Sequence, residues 1–189
     1  MQMTAERYLA APREAVWAAL NDLKTLRSSI PGCEALEWQG CETLKAEVRA
    51  KVGPVDARFR GKVTLRDRDP PNGYRIEGEG QGGAAGFASG FADVRLLPEG
   101  SGTLLRYRVE ATIGGKLAQI GSRLIDAAAH KFADDFFERF ARVVEPSPPA
   151  LADESLPVVR VTRTGLRPMI WVPGLIALVA LILLVFSRL

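Results

Sequence analysis

Histidine and cysteine are scarce in this sequence of 189 residues, which contains one His and two Cys. A zinc cage or an iron–sulfur cluster needs about four such ligands, so the composition excludes both kinds of metal site. His130 is the sole candidate for the base of a Ser-His-Asp triad, but its neighbours place it off the apolar stripe of a long predicted helix. We therefore interpret His130 as a solvated surface residue and expect no metal ligands.

The two cysteines do not form a plausible pair. Cys33 and Cys41 lie near opposite ends of one short predicted strand and its turn at Gln39-Gly40. In that hairpin they would not face each other, so we expect no disulfide and a reducing, cytoplasmic setting. The first ten residues, MQMTAERYLA, lack the apolar run of a signal peptide.

Neither sign of charge dominates the chain. Lys and Arg number 25 and Asp and Glu number 22, which gives a net charge of +3. Four of the basic residues but only two of the acidic ones follow Glu145, so the body before it is nearly neutral. Without a basic stripe we expect no nucleic-acid partner. The 47% hydrophobic and 25% charged content fits one globular domain with appendages.

Catalytic and nucleotide-binding motifs are also missing. No pair of carboxylates stands out in apolar surroundings, so we assign no catalytic residue. Residues 78–83, GEGQGG, fit the spacing of a dinucleotide fingerprint, but a predicted strand follows where a helix is required. Gly115-Lys116 precedes Leu117 where a P-loop has Ser or Thr.

One long uncharged run is present at residues 169–186, MIWVPGLIALVALILLVF. As a helix it would be about 27 Å long, close to the hydrocarbon thickness of a bilayer. We interpret it as a single-pass transmembrane anchor. Two alternatives stay open: a buried core helix, and a segment that only dips into the membrane because Pro173-Gly174 weakens its first turn.

Basic residues flank this run mainly on its N-terminal side. Arg160, Arg163 and Arg167 precede it, and only Arg188 follows. By the positive-inside bias the folded body is predicted on the cytoplasmic face of the membrane. Residues 145–168 carry five prolines and form the predicted linker, which would span about 70 Å if wholly extended or roughly 27 Å as a coil.

Within the body, residues 1–144, apolar and polar residues alternate as in half-buried antiparallel strands. The alternation covers 44–52, 55–65 and 105–113, and turn residues at 69–73 introduce a further strand at 74–82. Two short helices follow Pro12 and Asp22. One long amphipathic helix is predicted over Lys116–Val144, because apolar or small residues recur there in steps of three and four. This order predicts an α+β fold with a sheet curled over the long helix.

Small residues are concentrated where that helix and sheet would meet. Gly78, Gly80, Gly82, Ala88, Gly90 and Ala92 in the strands face Gly121 and Ala127-Ala128 in this interpretation. Either the backbones approach closely or an apolar cavity remains. The side chains that the periodicities aim inward are the candidate cavity lining: Phe59, Val63, Ile76, Tyr107, Val109, Leu124, Ala128 and Phe132. Phe87 and Phe91 fall on the opposite face and are candidate partner-contact residues.

The order of elements resembles the START-like helix-grip fold of the polyketide cyclase and lipid-transport (SRPBCC) superfamily. Several motifs are narrower and are similar to those of the CoxG family, named for the G protein of carbon monoxide dehydrogenase, over about residues 1–144. They are APRE at 11–14 with Val16-Trp17, IPGC at 30–33, KVGPV at 51–55, GKV at 61–63, GEGQGGAAGFA at 78–88 and GGKLAQIGSR at 114–123.

This resemblance implies an accessory protein without catalytic residues. Members recruit molybdenum-containing hydroxylases of the carbon monoxide dehydrogenase type to the cytoplasmic membrane. The cavity is thought to hold an isoprenoid quinone, and no cofactor bound covalently or through a metal is implied. Two other functions stay open: a general carrier of lipids or hydrophobic small molecules, and a cyclase-like enzyme.

Overall fold

The structure is a computed structural model and describes residues 1–145. The predicted linker beyond Glu145, the predicted anchor at 169–186 and the flanking Arg160, Arg163 and Arg167 lie outside the described residues. Within residues 1–145, no helix is both long and apolar enough to cross a membrane.

Seven strands form one curved antiparallel sheet in the order β1-β7-β6-β5-β4-β3-β2. The strands are β1 (Gln2–Leu9), β2 (Cys33–Gln39), β3 (Thr43–Val52), β4 (Val55–Asp69), β5 (Gly73–Gln81), β6 (Phe87–Glu99) and β7 (Gly102–Gly114). A short 3₁₀ turn at Gly83–Ala85 precedes β6. The α+β class and the run of six strands after two short helices are confirmed.

The alternation of the sequence is the alternation of the sheet faces. In β3, for example, Leu44, Ala46 and Val48 are buried, whereas the lysine and arginine side chains between them are exposed. The outer face carries cross-strand ion pairs, such as Arg60 with Glu47 at 3.2 Å and Arg106 with Glu6 at 2.6 Å. Cys33 lies opposite Val48 and Cys41 is exposed in the following turn, and both thiols are free.

The first two helices sit between β1 and β2. Pro12 precedes α1 (Arg13–Leu20), where its fixed φ suits a helix start. Asp22 caps α2 (Leu23–Ser29) by accepting hydrogen bonds from the backbone N–H and the hydroxyl of Thr25, both at 2.7 Å.

The predicted single helix over 116–144 is wrong in its first turns. The structure has a four-residue helix α3 (Lys116–Gln119) and a separate α4 (Ser122–Val144). Gly121 lies between them with φ +88° and ψ 143°, a conformation that side-chain-bearing residues rarely adopt. Since the break resets the helical phase, the residues before it do not predict which face of α4 is buried.

The buried stripe of α4 consists of Ile125, Ala129, Ala133, Phe136, Phe137 and Phe140. Its C-terminal half is fixed by aromatic contacts: Phe136 stacks on Phe140 with ring centroids 5.5 Å apart, and Phe137 stacks on Tyr107 at 5.9 Å. Its N-terminal half buries only small or aliphatic side chains. Helix and sheet are therefore tightly packed at one end and more loosely joined at the other.

Candidate functional site

A groove of about 450 Å³ opens beside the N-terminal half of α4. One wall is a helical stripe that includes Leu124, Ala128 and Phe132. The other walls come from the turn between α2 and β2 and from the end of β3. The lining residues are Pro31, Gly32, Arg49, Ala50, Lys51, Gly53, Leu124, Ala127, Ala128, Lys131, Phe132 and Asp135.

The α2–β2 turn is held against β3 by a glycine. Gly32 has φ +69°, and a Cβ built on it would lie 2.1 Å from the carbonyl oxygen of Arg49. The Gly32 carbonyl accepts a hydrogen bond from the Arg49 N–H at 2.9 Å. Only glycine allows this approach, so this residue sets the width of the groove on that side.

The groove combines an apolar floor with a basic rim. Ala128 and Phe132 pack against the core, whereas Leu124 is 51% exposed. On the rim, Arg49 holds Asp56 through its Nε and Nη2 at 3.1 and 3.3 Å, which lowers the pKa of that carboxyl. Lys131 pairs with Asp135 at 2.8 Å. These ammonium and guanidinium groups are hydrogen-bond donors and suit a ligand with carbonyl acceptors.

The structure separates the predicted cavity residues into two groups. Phe59, Val63, Ile76, Tyr107 and Val109 lie in the filled core and are at most 7% exposed. Leu124, Ala128 and Phe132 line the groove. Contact of either group with a ligand stays a prediction.

Two placements on the helix were wrong. Leu124 points outward, and Val143, predicted on the same inner stripe, is 53% exposed. Gly121 and Ala127 are exposed too and do not face the small residues of the sheet. The small residue at Gly82 instead allows close packing, because a Cβ there would lie 2.4 Å from the Phe59 ring.

The comparison with protein families follows from this geometry. The sequence model of the carbon monoxide dehydrogenase CoxG family matches residues 6–145, about three quarters of the chain. The chain belongs to this family. No curated protein matches the chain as a relative.

Solved structures share the same architecture. A conserved protein from Geobacillus kaustophilus is 29% identical with a TM-score of 0.73, over 76% of this chain and 95% of that one. The ZhuI aromatase/cyclase from Streptomyces is 14% identical with a TM-score of 0.55, over 76% and 93%. A protein from Thermus thermophilus is 18% identical with a TM-score of 0.56, over 76% and 97%. At their low identities the last two show the helix-grip fold alone. The CoxG family and this fold together fit a domain that binds hydrophobic ligands.

The predicted partner-contact residues of this CoxG family domain lie on the outer face of the sheet. Phe87 is 40% exposed and its ring covers Gly114, where an added Cβ would lie 2.2 Å away. Phe91 is half-buried beneath the guanidinium of Arg75, 3.6 Å from the ring centroid, a cation–π contact. It borders an outer depression of about 430 Å³ with Glu77, Glu79 and Ser89 among its walls. Partner contact at this face stays a prediction.

A polar cluster lies between α4 and the β1–β7 edge of the sheet. Arg7 points inward from β1, with its Nη1 3.9 Å from Asp134 Oδ1 and its guanidinium over the Phe137 ring. Burial raises the pKa of Asp134 and the pKa of Tyr107. The Tyr107 hydroxyl, Asp134 Oδ1 and His130 Nδ1 are buried without a hydrogen-bond partner among the described residues. The prediction of a solvated His130 is therefore wrong for that nitrogen.

Sequence reasoning missed the basic rim of the groove. The alternation assigned Arg49 and Lys51 to the solvated outer row of β3. The pairing of β2 with β3 ends at Cys33 and Val48, so the last residues of β3 form an open sheet edge. The IPGC segment at 30–33 and its glycine were the available signal, because a turn glycine beside a strand often marks close backbone approach. Within residues 1–145, no group of acidic, His or Cys side chains could hold a metal ion.

Proposed function

We propose that this protein is a membrane-anchored accessory protein that recruits a molybdenum-containing oxidoreductase of the carbon monoxide dehydrogenase type to the cytoplasmic membrane. Membership of the CoxG family over residues 6–145 carries this proposal. The uncharged run at 169–186 and the Pro-rich segment before it support the anchoring part. The proposal gives the chain no catalytic step of its own.

In the same proposal, the groove beside α4 holds a lipophilic quinone that carries electrons toward the respiratory chain. Its volume of about 450 Å³ is within the usual range for small-molecule sites, roughly 300 to 1,000 Å³. Ala128 and Phe132 would contact the apolar part of the molecule. Lys51 or Lys131 on the rim would donate a hydrogen bond to a quinone carbonyl.

A general lipid carrier is the second candidate. The observation that favours it is the exposed Leu124, since an open apolar wall accepts any chain of suitable width. Native mass spectrometry of the full chain in mild detergent separates the two. A co-purified isoprenoid quinone supports the electron carrier, and co-purified phospholipid without quinone supports the general one.

Cell fractionation tests the anchoring and recruiting role. Deleting residues 146–189 should release the body into the soluble fraction and remove the oxidoreductase from membranes. A second variant, with residues 169–186 replaced by Gly and Ser at the same length, keeps the linker and isolates the apolar run. Membranes are washed at high salt, because this removes charge-dependent surface binding. A truncated body that still sediments with the washed membranes would contradict the proposal.

A further inference from the structure

The body has two ends that differ in surface chemistry. One end, which we call the groove end, is formed by the connections at 53–54, 82–86 and 114–121 and by the start of α4. The other, the exit end, is formed by the turns at 70–72 and 100–101 and by the end of α4. The Glu145 Oε1 accepts a hydrogen bond from the Ala10 N–H at 3.0 Å, which places the last described residue at the exit end.

Apolar groups are exposed at the groove end. Leu124 is 51% exposed, and Pro54 in the neighbouring turn is exposed as well. A Cβ built on Gly53 would lie 3.8 Å from Leu124 Cδ1 and 4.0 Å from Ile120 Cδ1, so the turn of the β3–β4 hairpin sits directly against both side chains. Together they form one contiguous apolar surface beside the groove.

Cations surround this apolar surface. Lys51, Lys116 and Arg123 are all exposed, and none makes an ion pair with a carboxylate of residues 1–145. On the outer sheet face, in contrast, arginines such as Arg58, Arg66 and Arg75 are each held by a carboxylate. The cations at the groove end are therefore available to an external anion.

The exit end has different surroundings. Leu97 is 38% exposed there, and its neighbours include the exposed Glu99. Arg95 is occupied by Asp69 at 4.0 Å, and Arg142 is paired with Glu138. An exposed apolar side chain is thus present at both ends, but unpaired cations accompany it at the groove end.

We propose that the groove end is a docking surface for an anionic phospholipid bilayer. Ile120 and Leu124 reach the level of the acyl chains, and Lys51, Lys116 and Arg123 contact the lipid phosphates. The groove then opens onto the bilayer, so a lipophilic molecule passes between them without crossing water. This contact does not depend on the anchor at 169–186.

The docked orientation makes a geometric demand on the chain. Residues 124 and 144 are about 30 Å apart along α4, so the described chain ends far from the proposed lipid contact. A short linker alone would favour the exit end facing the membrane. The docking proposal requires residues 146–168 to run back along the body, and their extended reach of about 70 Å is sufficient.

Site-specific quenching in vesicles distinguishes these two orientations. In the full chain with Cys33→Ala and Cys41→Ser, a fluorophore is attached at Ser122→Cys at the groove end or at Ser101→Cys at the exit end. Both serines are exposed, so the two labels are matched. Vesicles contain phosphatidylcholine alone or with one third phosphatidylglycerol, plus a lipid spin-labelled at its headgroup.

We expect the label at 122 to be quenched in anionic vesicles and the label at 101 to stay bright. The reversal Lys116→Glu with Arg123→Glu should remove most of that quenching, since each cation contributes roughly fivefold to surface binding. The control reversal Lys45→Glu with Lys62→Glu changes the net charge equally, on the outer face, and should leave the quenching at 122 in place.

Equal quenching at both positions, or quenching at 122 that ignores lipid charge, overturns the docking proposal. So does a full chain that fails to float with anionic vesicles. Flotation with neutral vesicles without quenching at 122 also overturns docking but leaves the anchor supported. Flotation with anionic vesicles alone, with quenching at 122, supports docking and counts against the anchor.

Discussion

Ala128 and Ala129 are neighbours on α4 with opposite surroundings. Ala128 is half-buried and lines the groove, whereas Ala129 is fully buried against the sheet. The extra atoms of a leucine at 128 extend into open space, and those of a leucine at 129 have no space. This pair separates filling of the groove from damage to the core.

We expect Ala128→Leu to fold with nearly unchanged stability and to lose binding of a short-chain isoprenoid quinone. Ala129→Leu should lower the free energy of unfolding by about 1 to 3 kcal/mol through overpacking. Urea unfolding and quinone titration by fluorescence are measured on both variants. If Ala128→Leu lowers stability yet binds quinone as the unmodified chain does, Ala128 is not a wall of the ligand site.

At this scale the sequence predicted which strand residues are buried but not where the open space is. Strict alternation identified Phe59, Val63 and Val109 as inward residues, and all three are buried. Whether an inward side chain meets a neighbour or a cavity depends on packing across the sheet. Alternation alone does not contain that information.

Helix α2 shows how one capping residue supports a functional element. Asp22 accepts two hydrogen bonds from Thr25, and these lower the pKa of its carboxyl. The helix buries Leu26 and leads directly into the turn at Pro31 and Gly32 that forms one groove wall. Loss of the cap should therefore loosen the groove as well as the helix.

We expect Asp22→Ala to lower Tm at pH 7. Since the folded-state pKa of Asp22 is below its unfolded value, the stabilisation by its carboxylate is complete above that unfolded value. It is lost as pH falls through the folded pKa, so the two proteins should converge at low pH. Asp22→Asn keeps an acceptor for the Thr25 N–H and should retain most of the stability. Thermal melts from pH 3 to pH 7 measure this, and a Tm difference that is constant with pH would contradict it.

Elements with clean periodicity were predicted well, and the helix with a break was not. The strand bounds agree within a few residues because their apolar period is uninterrupted. Leu117 and Leu124 fit one helical stripe on paper, but Gly121 changes the chain direction between them. A single glycine in a helical pattern is often tolerated, so the sequence alone did not require the break.

The whole molecule combines a body whose fold belongs to the CoxG family with a C-terminal apolar run that the proposal assigns to the membrane. The outer sheet face with Phe87 and Phe91 is the predicted site of partner contact, and the groove is on the other side of the sheet. Recruitment and ligand binding thus use separate surfaces of one body in this proposal. The identity of the membrane segment should then matter little.

We therefore expect that replacing residues 169–186 with an unrelated apolar helix of about 18 to 20 residues restores both membrane attachment and recruitment of the oxidoreductase. Such a helix supplies the same transfer free energy from water to lipid but none of the native side chains. Oxidoreductase activity in high-salt-washed membranes measures recruitment, and the Gly/Ser replacement provides the baseline. A chimaera that returns to the membrane without the oxidoreductase would show that residues 169–186 themselves contact the partner, and the division into a recruiting body and a passive anchor would be wrong.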